Sequence, residues 1–256
     1  TEYIYLIVFL ILGSNLTSQI NTPKYSNEFL NIGVGARSLA MSNSVITSTN
    51  SAMSAYLNPA NLVKNENDIQ IGLMHAEYFA GIAKYDFGSI AKRIDYKSSF
   101  GFSFLRFGVD NIPNTSELID AQGNVNYDRV SYFSAADLAF IGSYARKLNR
   151  YLSVGGSAKV INRKAGDFAS AWGFGIDLSS TYSKNDWSFA LVAKDITSTF
   201  NVWKYQLSNE MISTFISTGN ELPQNGIELT LPKLILGASK EFHLKNNINF
   251  LIELNL

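Results

Sequence analysis

A two-residue alternation of side-chain character begins at Asp68 and continues to the end of the chain, and this feature most constrains the fold. Successive side chains of a β-strand point to opposite faces of the sheet, so the alternation predicts strands. No long amphipathic helical pattern replaces it. We predict nine strands in an all-β, antiparallel fold, over residues 68–78, 80–93, 98–109, 132–147, 151–164, 171–184, 186–196, 230–243 and 246–256.

The two faces of these strands differ in an unusual way. In the third strand, the large apolar residues Phe100, Phe102 and Phe104 alternate with the small residues Gly101 and Ser103. A soluble β-sandwich would bury its apolar face and carry many charges on the other. Here the second face consists of glycine, serine and an occasional charge. The pattern therefore predicts a transmembrane β-barrel with its apolar face toward lipid and its small, polar face toward the interior.

The charged-residue content agrees with this prediction. Asp, Glu, Lys and Arg make up 16% of the chain, against about 25% in ordinary soluble domains. The acidic and basic residues both number 21, which argues against a nucleic-acid partner held through phosphate contacts. The chain has no cysteine, which excludes a disulfide framework and thiolate metal sites.

The lengths of the connections give a second line of argument. The links after the second, fourth, sixth and eighth predicted strands are short, those after the third and seventh are long, and that after the fifth is intermediate. Outer-membrane barrels have short periplasmic turns and longer external loops. Because bacterial barrels close with an even number of strands, nine strands also predict that C-terminal strands are missing after Leu256.

The first residues have the character of an export signal. Residues 3–12 form an apolar run that is shorter than the roughly 20 residues of a membrane-spanning helix. Small residues follow at Gly13, Ser14, Thr17 and Ser18, as in a signal-peptide cleavage region. We predict a signal peptide over residues 1–18, truncated at its start; the alternative is a buried strand at the edge of a soluble domain.

Residues 19–67 are predicted to form a plug rather than strands. Small residues, among them Gly33 and Gly35, are interspersed with isolated apolar ones, which permits close approach to a surrounding wall. Arg37 is the one charge between Glu28 and Lys64. A charge inside a plug must be paired or hydrated, so we expect its partner to be an inward carboxylate such as Asp177 or Glu253.

Five stretches carry a resemblance to a known family, and they read FLNIGVGARSLAM at residues 29–41, YLNPANL at 56–62, GLMHAEY at 72–78, FGVDNIPNT at 107–115 and AKDITSTFN at 193–201. The chain resembles the PorV/PorQ family of outer-membrane proteins, relatives of the FadL-type barrels from bacteria with a type IX secretion system. Asn58 and Pro59, a turn signal, match the family position where the plug ends. The chain has Ser42 and Asn61 where the family commonly has glycine.

The resemblance implies a FadL-like barrel of about 14 strands with an N-terminal plug, comprising residues 19–67 as the plug and 68–256 as part of the barrel. It implies that the protein is located in the outer membrane of a Gram-negative, Bacteroidetes-type bacterium. The implied function is type IX protein secretion, in which the barrel binds or shuttles cargo at the cell surface. Its partners would be outer-membrane lipid, translocon subunits and secreted cargo. The alternative is a FadL-like transporter of hydrophobic small molecules.

The long external segment 197–229 contains the one helical pattern of this part of the chain. Ser208 is placed to cap a short helix that ends near Gly219. Its apolar positions share one face, which is either folded over the barrel mouth or a docking surface for a secreted partner. We call this set the docking face: Leu207, Met211, Ile212, Phe215 and Ile216.

No residue set predicts catalysis, a cofactor or a metal site, and the chain is not expected to be an enzyme. The sequence Gly33-x-Gly35 lacks the strand and the helix of a nucleotide-binding loop. Residues 120–128 alternate oxygen-bearing side chains but lack the bidentate glutamate of a calcium loop, so a plain polar loop is favoured over a calcium site. His75 and His243 are the only histidines, and each is expected to lie alone in a strand.

Overall fold

Strands make up most of the chain after residue 68. The computed structural model describes residues 26–115, 118, 124–217, 219–244 and 248–256, so the predicted signal peptide and the first residues of the plug lie outside it. Eleven strands form one sheet, with the bounds β1 Ile69–Tyr78, β2 Ala83–Arg93, β3 Ser98–Asn114, β4 Ser131–Lys147, β5 Leu152–Ala165, β6 Ala169–Lys184, β7 Trp187–Lys194, β8 Phe200–Tyr205, β9 Gly226–Leu229, β10 Lys233–Leu244 and β11 Ile248–Asn255.

The sheet is antiparallel and follows the order of the chain. The hydrogen-bonded path runs from β1 through β7 to β10 and β11, with β8 paired to β6 and β9. All nine predicted strands are present, although their ends differ by several residues from the prediction. The all-β antiparallel fold is confirmed.

The prediction of nine strands is wrong for the described chain, because segment 197–229 contributes two more. β7 pairs with one half of β6 and β8 pairs with the other half. β9 and β10 repeat this arrangement beside them. The break between β7 and β8 and the break between β9 and β10 lie side by side. There the amide of Thr230 donates to the carbonyl of Thr199 at 2.8 Å.

The predicted alternation of short and long links is only partly present. A long link follows β3, and the segment between β7 and β10 contains β8, a short helix and β9, but the link from β5 to β6 is only residues 166–168. A tight turn replaces the expected intermediate loop there, and Gly166 adopts φ 53° within it. The link from β1 to β2 is also short, over residues 79–82. Two links, rather than three, are therefore longer at this end.

The two faces of the sheet are exposed and covered as the alternation predicts. Large apolar side chains on one face are open, for example Leu73 at 78% and Trp172 at 59% exposure. On the other face Ser103 is fully buried and Ser143 nearly so. We call the first the outer face and the second the inner face.

The inner face is covered by residues 26–65, which we call the N-terminal segment. It contains a 3-10 helix at Glu28–Asn31, α1 at Ala36–Ala40, α2 at Ser54–Leu57 and a second 3-10 helix at Pro59–Lys64. Large buried side chains of the segment and of the inner face form the main apolar core, comprising Phe29, Leu30, Val34, Val45, Tyr56, Leu57, Tyr85, Phe87, Leu105, Ile141 and Ile161. The core of the molecule therefore lies between the segment and the sheet.

The remaining helices are short. A 3-10 helix spans Tyr127–Arg129 and α3 spans Asn209–Ser217. In the part of the chain that the structure describes, no helix combines the length and the apolar character needed to cross a membrane.

Candidate functional site

Small residues of the inner face allow the N-terminal segment to approach the strands closely. A Cβ atom added at Gly155 would lie 2.4 Å from the backbone nitrogen of Ala60, and one added at Gly101 would lie 2.7 Å from the Cβ of Ala55. Both distances are far inside van der Waals contact. The glycines of the alternation are therefore needed for the packing of the segment.

Serines of the inner face bind the backbone of the segment. Ser89 Oγ donates to the carbonyl of Ala52 at 2.7 Å, and Ser143 Oγ donates to the carbonyl of Ala55 at 2.6 Å. Ser179 Oγ accepts from the amide of Ala60 at 2.9 Å. Buried backbone groups outside regular structure must find such partners, so the strands supply what the irregular segment cannot supply itself.

Asn58 and Pro59 begin the second 3-10 helix. Asn58 is fully buried, and its Oδ1 accepts from the amide of Ala60 at 3.1 Å. Its Nδ2 donates to the carbonyl of Ile46 at 2.6 Å and to Thr181 Oγ1 at 3.0 Å. Pro59 occupies the first helical position, where its missing N–H costs nothing. The predicted turn is thus a helix cap that also ties the segment to β6.

Gly33 and Gly35 are required by their backbone and by their neighbours. Their φ angles are 95° and 88°, which favour glycine. A Cβ at Gly33 would lie 2.1 Å from Asn43 Oδ1, and one at Gly35 would lie 2.4 Å from Met53 Sδ. Contrary to the expectation of no helix, the five-residue helix α1 follows Gly35. The pair nonetheless serves packing, because these positions are occupied by protein atoms.

The predicted partner of Arg37 is wrong. Arg37 is exposed, and its Nη2 donates to Ser48 Oγ at 2.9 Å. The two carboxylates expected to pair with it have other partners. Asp177 binds Lys159, and Glu253 Oε1 accepts from the amide of Thr47 at 2.7 Å. These carboxylates are therefore bound by another inner-face group and by the backbone of the segment, although Glu253 Oε2 is buried without a hydrogen-bond partner.

A buried charge cluster lies where β7 ends. Lys159 Nζ is 2.8 Å from Asp177 Oδ1 and 2.5 Å from Asp195 Oδ1, and all three residues are buried. The amide of Asp195 donates to Asp177 Oδ1 at 2.7 Å, and Thr199 Oγ1 donates to Asp195 Oδ1 at 2.5 Å. This cluster fixes the interruption between β7 and β8. Gly175 leaves room for it, since an added Cβ would lie 1.9 Å from Thr199 Oγ1.

A second cluster attaches the β8–β9 hairpin to the sheet. Arg163 forms a two-pronged contact with Asp137, at 2.8 and 3.2 Å, and its Nη1 donates to Glu228 Oε2 at 3.0 Å. Trp203 Nε1 donates to the same oxygen at 2.7 Å, and the Arg163 guanidinium lies over the Trp203 ring at 5.1 Å. Asn201 Nδ2 extends the contacts to Asn27 Oδ1 of the N-terminal segment at 3.0 Å.

The sequence identified Asp177 as an inward carboxylate but did not pair it with Lys159. It did not single out the second cluster of Arg163, Asp137 and Glu228. One signal was available. Charges of opposite sign occupy inward positions of neighbouring strands, where cross-strand pairs form. Their pairing depends on strand register and on the unpredicted hairpin.

Four of the five docking-face residues lie on the helix α3, as predicted, whereas Leu207 precedes its first residue, Asn209. The amide of Met211 donates to Ser208 Oγ at 3.2 Å, the capping contact that the sequence predicts. The helix ends before Gly219, whose φ is 71°. Of the five docking-face residues, Ile216 is 66% exposed, and the other four, Leu207, Met211, Ile212 and Phe215, are partly buried.

The remaining sequence candidates do not form a metal site in the described chain. Asp120, Gln122 and Gly123 of the calcium-loop hypothesis lie outside the described residues, and Asn126 Oδ1 accepts from the amide of Asp128 at 3.0 Å. His75 is not isolated as expected, since its Nδ1 lies 2.6 Å from Asp86 Oδ1 on the neighbouring strand. Within the described ranges no three His, Asp or Glu residues are grouped to hold a metal ion.

Lys64 is a partly buried cation of the N-terminal segment. Its Nζ donates to the carbonyl of Thr47 at 2.8 Å. Burial lowers the pKa of Lys64 to about 8, and Glu253 opposes this shift. A buried ammonium loses hydration, which favours its neutral form.

A cavity of about 260 Å³ remains between the N-terminal segment and strands β7, β10 and β11. Its wall combines apolar groups such as Leu30, Leu57 and Ile235 with polar groups such as Asn31 and Lys194. The Lys194 ammonium lies over the Tyr56 ring at 5.0 Å. The described part of the inner face is therefore largely filled, and what space remains is partly polar.

Comparison with known proteins gives no family assignment: no protein-family model matches the chain, and no curated protein matches it.

Proposed function

We propose that this chain is part of an outer-membrane β-barrel whose N-terminal segment is the plug. One observation carries the proposal: the sheet exposes its large apolar side chains and buries its small and polar ones under the segment. In water, this exposure would leave an apolar surface far larger than monomeric proteins tolerate. In a bilayer, the same surface is the favourable one.

The strand lengths fit the thickness of a bilayer. A transmembrane strand needs about 9 to 11 residues, and β1 and β2 have 10 and 11. On β6, four successive outward residues are apolar, from Trp172 to Leu178, and the outward run ends in Lys184. An apolar band bounded by polar residues is what a strand that crosses lipid requires.

The filled inner face favours protein docking over small-molecule transport. A transport path needs a continuous apolar passage. Two cavities beside the plug have volumes of about 260 and 310 Å³, at the lower limit of the roughly 300 to 1,000 Å³ of ordinary ligand pockets. Their walls include the polar groups of Asn31, Lys64 and Lys194. The buried cluster of Lys159, Asp177 and Asp195 adds charge to the same interior.

In keeping with the resemblance to the PorV type, we propose that the protein acts in type IX secretion by holding or ferrying cargo at the cell surface. The docking face on α3 would bind the partner. This helix lies between β8 and β9, at the end of the sheet opposite the turns at residues 94–97, 148–151 and 185–186. Ile216 offers the most open apolar side chain of that face.

The test is site-specific photo-crosslinking in outer membranes, with a crosslinking amino acid at Ile216 and a matched one at the outward Leu73. We expect position 216 to capture a translocon subunit or an exported protein, identified by mass spectrometry. Position 73 should capture lipid, because it faces the bilayer. The substitution Ile216→Lys should abolish capture at a neighbouring crosslinker position.

Two results would contradict the proposal. If position 216 captures nothing while the purified barrel carries a bound fatty acid or other apolar molecule, transport replaces docking. If Leu73 crosslinks only to water-soluble proteins, the outer face does not contact lipid and the membrane location itself fails.

A further inference from the structure

The outer face carries unpaired cations at one end of the sheet. We call the end with the turns at residues 94–97, 148–151 and 185–186 the short-turn end. Four basic side chains point outward there, next to the apolar positions of the same strands: Lys92, Arg146, Lys184 and Lys240. None of the four forms an ion pair with another described residue. An ammonium or guanidinium group that is not paired with a carboxylate of the protein can bind an anion from outside the protein.

The carboxylates nearest to these cations already have partners. In the turn between β2 and β3, Asp95 Oδ1 accepts from the amides of Lys97 and Ser98, and these bonds lower the pKa of Asp95. In the turn between β6 and β7, Asp186 lies 3.5 Å from His243 Nε2. The charge of Arg146 also contributes to the lowered pKa of Asp95. Within the described chain, however, neither carboxylate lies within ion-pair distance of the four outward cations.

Three of the four outward cations at the opposite end are paired instead, and the fourth, Lys204, has no ion pair in the described chain. Lys84 lies 3.6 Å from Asp110, and Arg106 lies 3.6 Å from Asp86. Lys164 lies 3.3 Å from Asp167. The excess of positive charge on the outer face is therefore a property of the short-turn end and not of the sheet as a whole.

Exposed aromatic rings accompany the cations. Tyr144, Tyr182 and Trp187 point outward at the same end, and Lys240 Nζ lies over the Trp187 ring at 5.1 Å. Aromatic side chains concentrate at the boundary between acyl chains and headgroups. Long basic side chains at this level extend their charged ends toward the headgroups.

We propose that the short-turn end of the outer face is a binding surface for the headgroups of anionic phospholipids, formed by Lys92, Arg146, Lys184 and Lys240. The inference rests on the proposed membrane location and adds a lipid class and a leaflet side to it. The apolar residues of the outer face contact the acyl chains, and the four cations bind the phosphate groups at the adjacent membrane surface. Each basic residue near an anionic lipid surface adds attraction that decays within a Debye length.

The experiment measures lipid selectivity in bilayers that contain the full chain. The protein is inserted into phosphatidylcholine vesicles with trace spin-labelled phosphatidylglycerol or spin-labelled phosphatidylcholine, and the motionally restricted fraction is recorded by electron paramagnetic resonance. We expect phosphatidylglycerol to be preferred at least about threefold at low salt and the preference to fall at high ionic strength.

Two variants locate the effect. Replacing Lys92, Arg146, Lys184 and Lys240 by Gln should remove the preference. Replacing four cations at the other end by Gln, namely Lys84, Arg106, Lys164 and Lys204, changes the net charge equally and should leave it. If the first variant does not insert, the single variants Lys92→Gln and Arg146→Gln should each reduce the preference in part.

The outcomes separate this inference from the proposed function. Equal restriction of both lipids in the unaltered protein overturns the headgroup surface and leaves the membrane location intact. Equal loss of preference in both variants overturns the assignment to the short-turn end. Absence of any restricted lipid overturns the membrane location and the headgroup surface together.

Discussion

The inner and outer faces of the sheet are built from the same strands, yet they meet opposite environments. On β3, Phe102 points outward and is exposed, whereas Ser103 beside it is fully buried. On β6, Trp172 is exposed and Gly173 is pressed against Asn201. Size and polarity are thus exchanged relative to a soluble domain. The alternation therefore reflects what each face of the sheet contacts as well as its secondary structure.

The largest expected effect comes from breaking the polar interior of the inner face. Lys159→Met leaves the carboxylates of Asp177 and Asp195 buried without their cation, which should lower the free energy of unfolding by about 3 to 5 kcal/mol. Urea unfolding of the inserted protein measures it. Lys164→Met on the same strand breaks an exposed pair and should cost less than about 1 kcal/mol. Equal losses would mean that the cluster has no special role.

The outer face is tested by placing a charge on it. Leu73→Arg should lower the free energy of unfolding in a bilayer by about 2 to 4 kcal/mol, because Leu73 lies near the middle of β1 and the guanidinium would enter the centre of the apolar band. The same measurement serves, with Tyr127→Arg as the control in the exposed link between β3 and β4. An account with a water-facing outer face predicts almost no cost for either variant, and that result would contradict ours.

The same substitution at one glycine of each face separates the packed inner face from the open outer face. Gly155→Val would push a side chain into the backbone of Pro59 and Ala60, whereas Gly142→Val has nothing within 4 Å. We expect a loss of about 1 to 3 kcal/mol for the first and little change for the second. Protease digestion adds a local readout, since cleavage within residues 26–65 should accelerate only in Gly155→Val. Faster cleavage in both variants would argue against contact between segment and sheet.

The smallest effect is a pH dependence of the N-terminal segment. The pKa of Lys64 is lowered to about 8, while an unfolded lysine titrates near 10.4. Between these values the unfolded state binds more protons, so stability should rise as the pH increases from about 8 to about 10. Below about 8 this contribution stays constant. The difference between the unaltered protein and Lys64→Met isolates it in urea unfolding, and a difference that is flat from pH 7 to 10 would refute it.

The strands could be predicted because their faces differ so sharply in size and polarity. The hairpin of β8 and β9 could not, since Trp203 turns inward to Glu228 while Val202 turns outward, which places apolar groups on both faces and hides the alternation. The helix α3 was found through its cap at Ser208 and its apolar spacing. Both signals involve residues that are close together in the chain, so they can be recognised without knowledge of the fold.

The pairing of interior charges could not be predicted in the same way. Arg37 and Asp177 are far apart in the sequence, and only the register of β5 against β6 shows that Asp177 meets Lys159 instead. The role of Asp195 depends on the interruption between β7 and β8, which the strand pattern conceals. The need for Gly33 and Gly35 was foreseen, but their neighbours Asn43 and Met53 follow from the folded segment alone.

Contact of the outer face with lipid, and its absence at the inner face, can be measured with the tryptophans of this chain. Trp172 points outward, and Trp203 points inward to Glu228. In variants that keep one or the other, with the remaining tryptophans changed to Phe, brominated phosphatidylcholine should quench the fluorescence of Trp172 strongly and that of Trp203 weakly. Quenching of Trp172 by aqueous acrylamide, with no effect of brominated lipid, would contradict the account.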